Sequence, residues 1–311
     1  MAFVQLLLFP GLAFLFVMGL AAEFVDRKLY ARFQNRVGPP WFQPAADFVK
    51  LLSKENLIPD AADRPIFGLM PILAFASAVT AYFYVPTLRS NALFSFDGDL
   101  IVVLYFLTIP TLTFFLAGWY SRSAFSMIGA IRSMIQLFAY EVPLFLCLLA
   151  AALLADTWSV SGVASFYANH PPLILINLPG FAVSLMALLG KLEKVPFDIP
   201  EAETEIVAGS FTEYGGKSLA FFKAAINVEM VVAASLLAAI FLPFGFFANP
   251  ILSAVVYIAK VFFIVFLIAL ARSVAARLRL DQMVVVCWKI FGTVSFGQIV
   301  LNLLVKGWVP R

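Results

Sequence analysis

Between Glu193 and Glu213 lie six acids: Glu193, Asp198, Glu201, Glu203, Glu205 and Glu213. They are one third of the chain's 18, and Lys194 is the one base among them. Carboxylates crowded together can carry protons, because two close neighbours cannot both ionise cheaply and one keeps its proton near neutral pH. Part of the pattern has a plainer meaning. Asp198 with Glu201 three residues later reads as a capping box, opening a short helix that Gly209 ends. On that helix Glu201 and Glu205 stand four apart, share a face and repel when both are ionised, so the pair is expected to hold one proton between them. The cap accounts for Asp198 and Glu201 but not for Glu203, Glu205 or Glu213.

Three further ionisable groups lie inside apolar runs. Glu141 follows Arg132, Gln136 and Tyr140 at helical spacing. A carboxylate there costs a few kcal/mol unless paired or protonated. It is either an interfacial group paired to Arg132 or Lys194, or a proton-carrying site. Glu229 and Lys260 fall within two later runs, and intramembrane charge marks function by default. For Lys260 a structural counter-charge is an equal alternative. The candidate proton relay is therefore Glu141, Glu193, Asp198, Glu201, Glu203, Glu205, Glu213 and Glu229, with Lys191 at its margin. No catalytic or metal-ligating residues are expected. Cys147 and Cys287 sit in separate apolar runs, and His170 is the one histidine. That set is too small for a bis-histidine haem or an iron–sulfur cluster. No glycine-rich phosphate motif follows a strand. The chain is expected to hold no redox cofactor and to hydrolyse no nucleotide.

These groups must be positioned by membrane-spanning helices. Of 311 residues, 63% are hydrophobic and 13% charged, where soluble domains carry about 25% charge. Apolar runs of about 20 residues recur along the chain without the alternation of a barrel. The expected fold is all-α and polytopic, one integral membrane domain over residues 1–311. Eight spans are expected, near 3–22, 66–86, 100–119, 138–155, 172–190, 224–246, 251–271 and 284–305. Residues 23–65 and 191–223 form two long polar loops. Sixteen of the 21 Lys and Arg fall in the odd-numbered loops, and three fall on the other side. The positive-inside rule then places the odd-numbered loops in the cytoplasm and both termini outside the cell membrane. No internal repeat supports an inverted-repeat transporter.

The first loop contains Arg36-Val37-Gly38-Pro39-Pro40, then Gln43-Pro44-Ala45-Ala46-Asp47-Phe48-Val49-Lys50-Leu51-Leu52. Pro44 suits a first helical turn. Phe48, Leu51 and Leu52 fall on one face, with Asp47, Lys50 and Lys54 on another. This predicts a short amphipathic helix at the membrane surface, either an anchor or a docking surface for a cytoplasmic partner.

Together these motifs resemble one family, the membrane subunit that joins the membrane and peripheral arms of respiratory complex I and of energy-converting membrane-bound hydrogenases. The most specific match is Pro196-Phe197-Asp198-Ile199-Pro200-Glu201-Ala202-Glu203, continuing through Val207-Ala208-Gly209 and Thr212-Glu213-Tyr214. Asp26-Arg27-Lys28, Arg36-Val37-Gly38-Pro39, Tyr140-Glu141-Val142-Pro143, Arg277-Leu278-Arg279-Leu280-Asp281 and Trp288-Lys289 match as well. The resemblance implies a non-catalytic subunit of an oxidoreductase complex, coupling electron transport to proton translocation. It implies docking of iron–sulfur and hydrogenase-like subunits on the cytoplasmic face through Arg36, Gln43, Asp47, Lys50, Arg277 and Asp281. Antiporter-like membrane subunits would be further partners. Iron–sulfur clusters, and a nickel–iron centre in the hydrogenase case, would sit in those partners. Three departures point to the hydrogenase or sulfur-reducing branch. The first loop lacks the second Gly-Pro element of quinone-type members. Lys191 and Lys194 replace the Glu and Arg of the family's Glu-x-x-Arg. Ile226 stands at the quinone-type Glu position, with Glu229 one turn later. The alternative is a quinone-binding subunit or, less in keeping with the motifs, an independent ion transporter.

Overall fold

The computed structural model describes residues 6–88, 90–201, 203–247 and 249–307, with the backbone alone at 203 and 204. The described chain is 74% helix, with no strand among the described residues. The helices are α1 (Leu12–Phe33), α2 (Gln43–Ser53), α3 (Arg64–Tyr82), α4 (Asp99–Tyr120), α5 (Ala124–Ala155) and α6 (Val160–Asn169). They continue as α7 (Pro172–Ile176), α8 (Leu178–Lys191), α9 (Glu203–Ile206), α10 (Gly216–Phe241) and α11 (Pro250–Val274). The last, α12 (Leu280–Lys306), includes a π-helical segment at Val286–Gly292.

Among the described residues six helices are long and apolar enough to cross a membrane: α3, α4, α5, α10, α11 and α12. The expected count of eight differs at two places. α1 is 22 residues long but carries Glu23, Asp26, Arg27 and Lys28 in its second half. α8 has 14 residues, because Pro172–Ile176 forms a separate turn that breaks at Asn177. The expected fourth span also begins too late. α5 starts at Ala124, so Arg132 and Gln136 lie on a helix rather than in a loop. Apolar residues continue on that helix's N-terminal turns, and Arg132 is tolerated there because it meets an acid. The connection after α5 holds the unforeseen helix α6.

α10 is the axis of the bundle. Its 18-residue apolar window is 89% buried, against 17% for α12 at the periphery. α1, α3, α11, α2 and α6 pack around it. Ala224, Ala225, Ala233, Ala234, Ala238 and Ala239 line it, and small residues let helices approach closely without a hydrophobic driving force. At Gly19 of α1 a Cβ would already lie 3.3 Å from the Asn227 backbone of α10. Asn249 caps α11 by accepting from Ile251 N–H at 3.0 Å. Near the other end of α10, Lys260 of α11 donates to the carbonyls of Leu242 (3.2 Å) and Phe244 (2.9 Å). Its ammonium also lies over the rings of Phe244 and Phe246. Of the two readings of Lys260, this geometry is that of a structural cap on the chain leaving α10.

Candidate functional site

Lys191 ends α8 and Glu229 stands midway along α10. Both are shut off from solvent, and Lys191 Nζ lies 3.3 Å from Glu229 Oε1. The ammonium also donates to the Leu107 carbonyl of α4 and lies 5.7 Å from the Tyr140 ring centre of α5. Pro110 in α4 removes one backbone donor near that carbonyl. Tyr140 in turn bonds Thr111 at 3.0 Å. Glu141 is close enough to feel both the Lys191 and Glu229 charges. One cation thus serves two carboxylates. Glu141 Oε1 and Glu229 Oε2 are buried with no hydrogen-bond donor among the described residues, and Glu229 Oε1 meets the Lys191 ammonium alone. Buried acceptors left this way call for a proton or a water.

Two residues past Lys191, Glu193 leaves α8 with φ +49° and is 7% exposed. Burial, reinforced by the Glu201 charge, pushes its carboxyl up to about 8. Ser133 of α5, which donates to Glu193 Oε1 at 2.9 Å, and the Lys223 ammonium act in the opposite sense. Gln136 of α5 holds this turn by donating to Gly190 O (2.7 Å) and Phe197 O (2.8 Å). The face of Arg132, Gln136 and Tyr140 seen in the sequence therefore clamps the acidic segment.

Glu193 opens onto a cavity of about 400 Å³, also lined by Glu23, Asp26, Lys194, Asp198, Glu201, Lys223, Arg272 and Arg277. Asp26 of α1, 2% exposed, receives Lys194 at 2.8 Å and Arg272 at 2.9 Å on one oxygen, while its other oxygen has no donor among the described residues. Burial lowers the Lys194 ammonium, and Asp26 opposes that shift. Asn227 and Arg27 both contact Glu23. In the sequence Asp26 is visible only as part of Asp-Arg-Lys. Its signal is an acid just past an apolar run, three residues from Glu23.

The expected Glu201–Glu205 pair does not form. The described helix is Glu203–Ile206, so Glu201 lies before it, and among the described residues no hydrogen bond joins Asp198 to Glu201. Separate cations take the three acids: Lys223 with Glu201 at 3.1 Å, Arg132 with Glu205 at 2.6 Å, and Arg277 with Asp198 at 3.1 Å. The Arg132 hydrogen bond and charge hold Glu205 below the usual carboxylate range. The physical reason is tertiary. Gly209, at φ +54°, brings the segment so close that a Cβ would meet Pro200 O at 1.8 Å, which folds the loop against α5 and α10. Glu213 lies apart, in a hollow with Glu55, Leu57 and Tyr214. The side chain of Glu203 falls outside the described residues.

The expected docking residues divide. Asp47 is tied by Gln43 (2.8 Å) and Arg27 (3.0 Å), and Arg277 by Asp198, whereas Arg36, Lys50 and Asp281 are exposed. α2 forms as expected, and Phe48 packs edge-on against Phe16 of α1 at 5.0 Å.

A helical membrane bundle with an ion pair and extra carboxylates sealed at its centre, and a charged vestibule at one end, defines a class: polytopic helical membrane subunits with buried charge. The family model for NADH dehydrogenase matches residues 5–303, and the chain belongs to that family, whose members are membrane subunits of complex I-like respiratory complexes. An NADH-quinone oxidoreductase subunit of Dehalococcoides mccartyi (strain CBDB1) is 32% identical, covering 96% of this chain and 86% of that protein. The NADH-quinone oxidoreductase subunits of the same type from Bacillus thuringiensis subsp. konkukian and Thermomicrobium roseum are each 34% identical. They cover 97% and 94% of this chain, and 92% and 93% of those proteins. Among solved structures, a chain of the membrane-bound sulfane sulfur reductase, an archaeal respiratory membrane complex, aligns with TM-score 0.86. It is 25% identical, with 97% of this chain and 99% of that chain covered.

Proposed function

We propose that this chain couples electron transfer to ion movement as the arm-joining membrane subunit of a hydrogenase-type or sulfur-reducing complex. The observation that carries the reading is the Glu141–Lys191–Glu229 centre, with Glu193, which lines the vestibule, close enough to feel the Glu229 charge. Carboxylates held in a low-dielectric interior respond strongly to a charge appearing nearby, at about 4 kcal/mol for a unit charge at 4 Å and an effective dielectric constant of 20. An electron arriving in an adjacent arm would therefore shift protons along Glu193, Glu229 and Glu141, with Lys191 as the counter-charge between the last two. Asp198, Glu201, Glu205 and Glu213, with Glu203, would feed this line from the cytoplasmic side. The peripheral arm, carrying iron–sulfur clusters and in the hydrogenase case nickel–iron, would dock on Arg36, Lys50 and Asp281, with antiporter-like subunits alongside in the membrane. Eight crossings, with α1 and α8 completing the set, would leave both termini outside and the vestibule in the cytoplasm. The full-length likeness to the sulfur reductase chain supports this branch.

Replacing Glu141 by Gln keeps its size and hydrogen bonding and removes its proton. The assembled Glu141→Gln complex should transfer electrons and fail to move ions, measured as dye-reported gradients in vesicles. Full ion movement in that complex would remove Glu141 from the relay. A second reading is a quinone-binding subunit. It is favoured by a cavity of about 260 Å³ between α1, α2 and α10, lined by Leu20, Phe48, Leu51, Glu23 and Lys223. Metal analysis of the native complex together with reduction assays on hydrogen, sulfur compounds and quinones separates the two.

A further inference from the structure

We propose that the outward face of α12 at Lys289 packs against a transmembrane helix of a neighbouring membrane subunit that carries a carboxylate at the same depth. The inward face of α12 is Met283, Cys287, Ser295, Gln298 and Asn302. Lys289 points away from it, exposed, between Trp288 (51% exposed) and Ile290 (55%). Counted from residue 284, where the apolar span is expected to begin, it stands five residues in, about 8 Å along the axis at 1.5 Å per residue, inside a hydrocarbon layer of about 30 Å. Its side chain leans toward the helix N-terminus, which shortens the distance to the interface but covers only part of it. Among the described residues no carboxylate comes within the 4.0 Å of an ion pair. A lysine bare to lipid at this depth is costly and calls for a partner.

Two features of the backbone suit a protein neighbour better than lipid. The π segment Val286–Gly292 spans this point, and such wide turns are rare and occur mostly at functional sites. Here the wide turn keeps Met283, Cys287 and Ser295 on one face although they follow one another at multiples of four, and it turns Lys289 outward. On that outward face Thr293 and Gly297 follow at four-residue steps, both exposed, and a Cβ at Gly297 would meet nothing within 4 Å. Small residues four apart allow a second helix to approach closely. The cation selects the partner's chemistry: an Asp or Glu within its membrane span.

The inference rests on this chain being one membrane subunit among several. Its test uses the whole complex, with the photoreactive p-benzoylphenylalanine at position 293. The expected product joins this chain to another membrane subunit, through a transmembrane peptide that contains Asp or Glu. Lys289→Met should lower its yield about tenfold or more, the effect of losing 1.4 kcal/mol or more of association, and Lys289→Arg should preserve it. Products with phospholipid alone would mean that Lys289 reaches the interface by itself, and would overturn the proposal. So would a peptide without a carboxylate, a second copy of this chain, or an unchanged yield in Lys289→Met. None of these outcomes bears on the coupling role, which is judged separately by ion movement in Glu141→Gln.

Discussion

Glu193 is a carboxyl group whose proton affinity the fold has moved from 4.5 to about 8. Because the folded chain binds this proton more tightly than the unfolded chain, the group stabilises the fold fully below pH 4.5. That contribution is lost as pH rises to about 8, at about 1.4 kcal/mol for each pH unit between the two values. Glu193→Gln removes the titration. Its thermal stability in detergent should fall less than that of the native chain between pH 5 and 8, and equal slopes would mean that Glu193 titrates normally. Lys191 and Glu229 make a second test. Breaking a fully buried ion pair from one side leaves a bare charge and costs about 3–5 kcal/mol. Lys191→Met should therefore lower stability sharply, and Lys191→Met with Glu229→Gln should recover much of the loss in a double-mutant cycle. Additive losses would show that the two side chains do not depend on each other.

α12 is held largely by polar contacts rather than by apolar burial. In its membrane part α12 buries Ser295, Gln298 and Asn302 and little else. Asn302 donates to Ala150 O of α5 and to Asn177 Oδ1 before α8, each at 2.8 Å. Gln298 donates to the same Asn177 oxygen at 3.1 Å, and Asn177 donates to Tyr167 of α6 at 2.9 Å. Inside lipid such groups act as glue between helices, at about 0.6–2 kcal/mol each. Asn302→Leu should loosen α12 by about that amount, read as increased hydrogen exchange of residues 293–306 with the α10 core unchanged. Unchanged protection in α12 would show that apolar packing holds it.

At the scale of the molecule, the charged groups form a gradient of accessibility. Arg36, Lys50 and Asp281 are at the surface, the vestibule acids are paired and partly open, and Glu229 with Lys191 is closed off. A gradient of this kind has a direction only if the vestibule faces one side of the membrane. Val207, 56% exposed beside the vestibule loop, reports on it. Cysteine at Val207 in a Cys147→Ser, Cys287→Ser background should react with an impermeant thiol reagent from the cytoplasmic side once the peripheral arm is stripped. Labelling from the outside would invert the topology.

Composition and periodicity were enough to read an all-helical membrane protein, the α2 helix and the residues of the acidic segment. Hydrophobic runs and turn chemistry are local, and lipid leaves helices little alternative. Glu141 and Glu229 stood out in the sequence for the same reason, since charge in an apolar run is conspicuous wherever it folds, whereas Lys191 was read only at the margin of the acidic segment. Partnership was not legible. Glu201 and Glu205, four apart in sequence, take Lys223 and Arg132 from α10 and α5, and Lys191 meets Glu229 across 38 residues. Asp26 draws Lys194 and Arg272 from 168 and 246 residues away. Which cation neutralises which acid depends on how helices distant in the chain pack around α10. An i,i+4 repulsion of a few tenths of a kcal/mol yields to a tertiary ion pair. The sequence determined which groups could carry charge in the membrane; only the tertiary structure decided which of them meet.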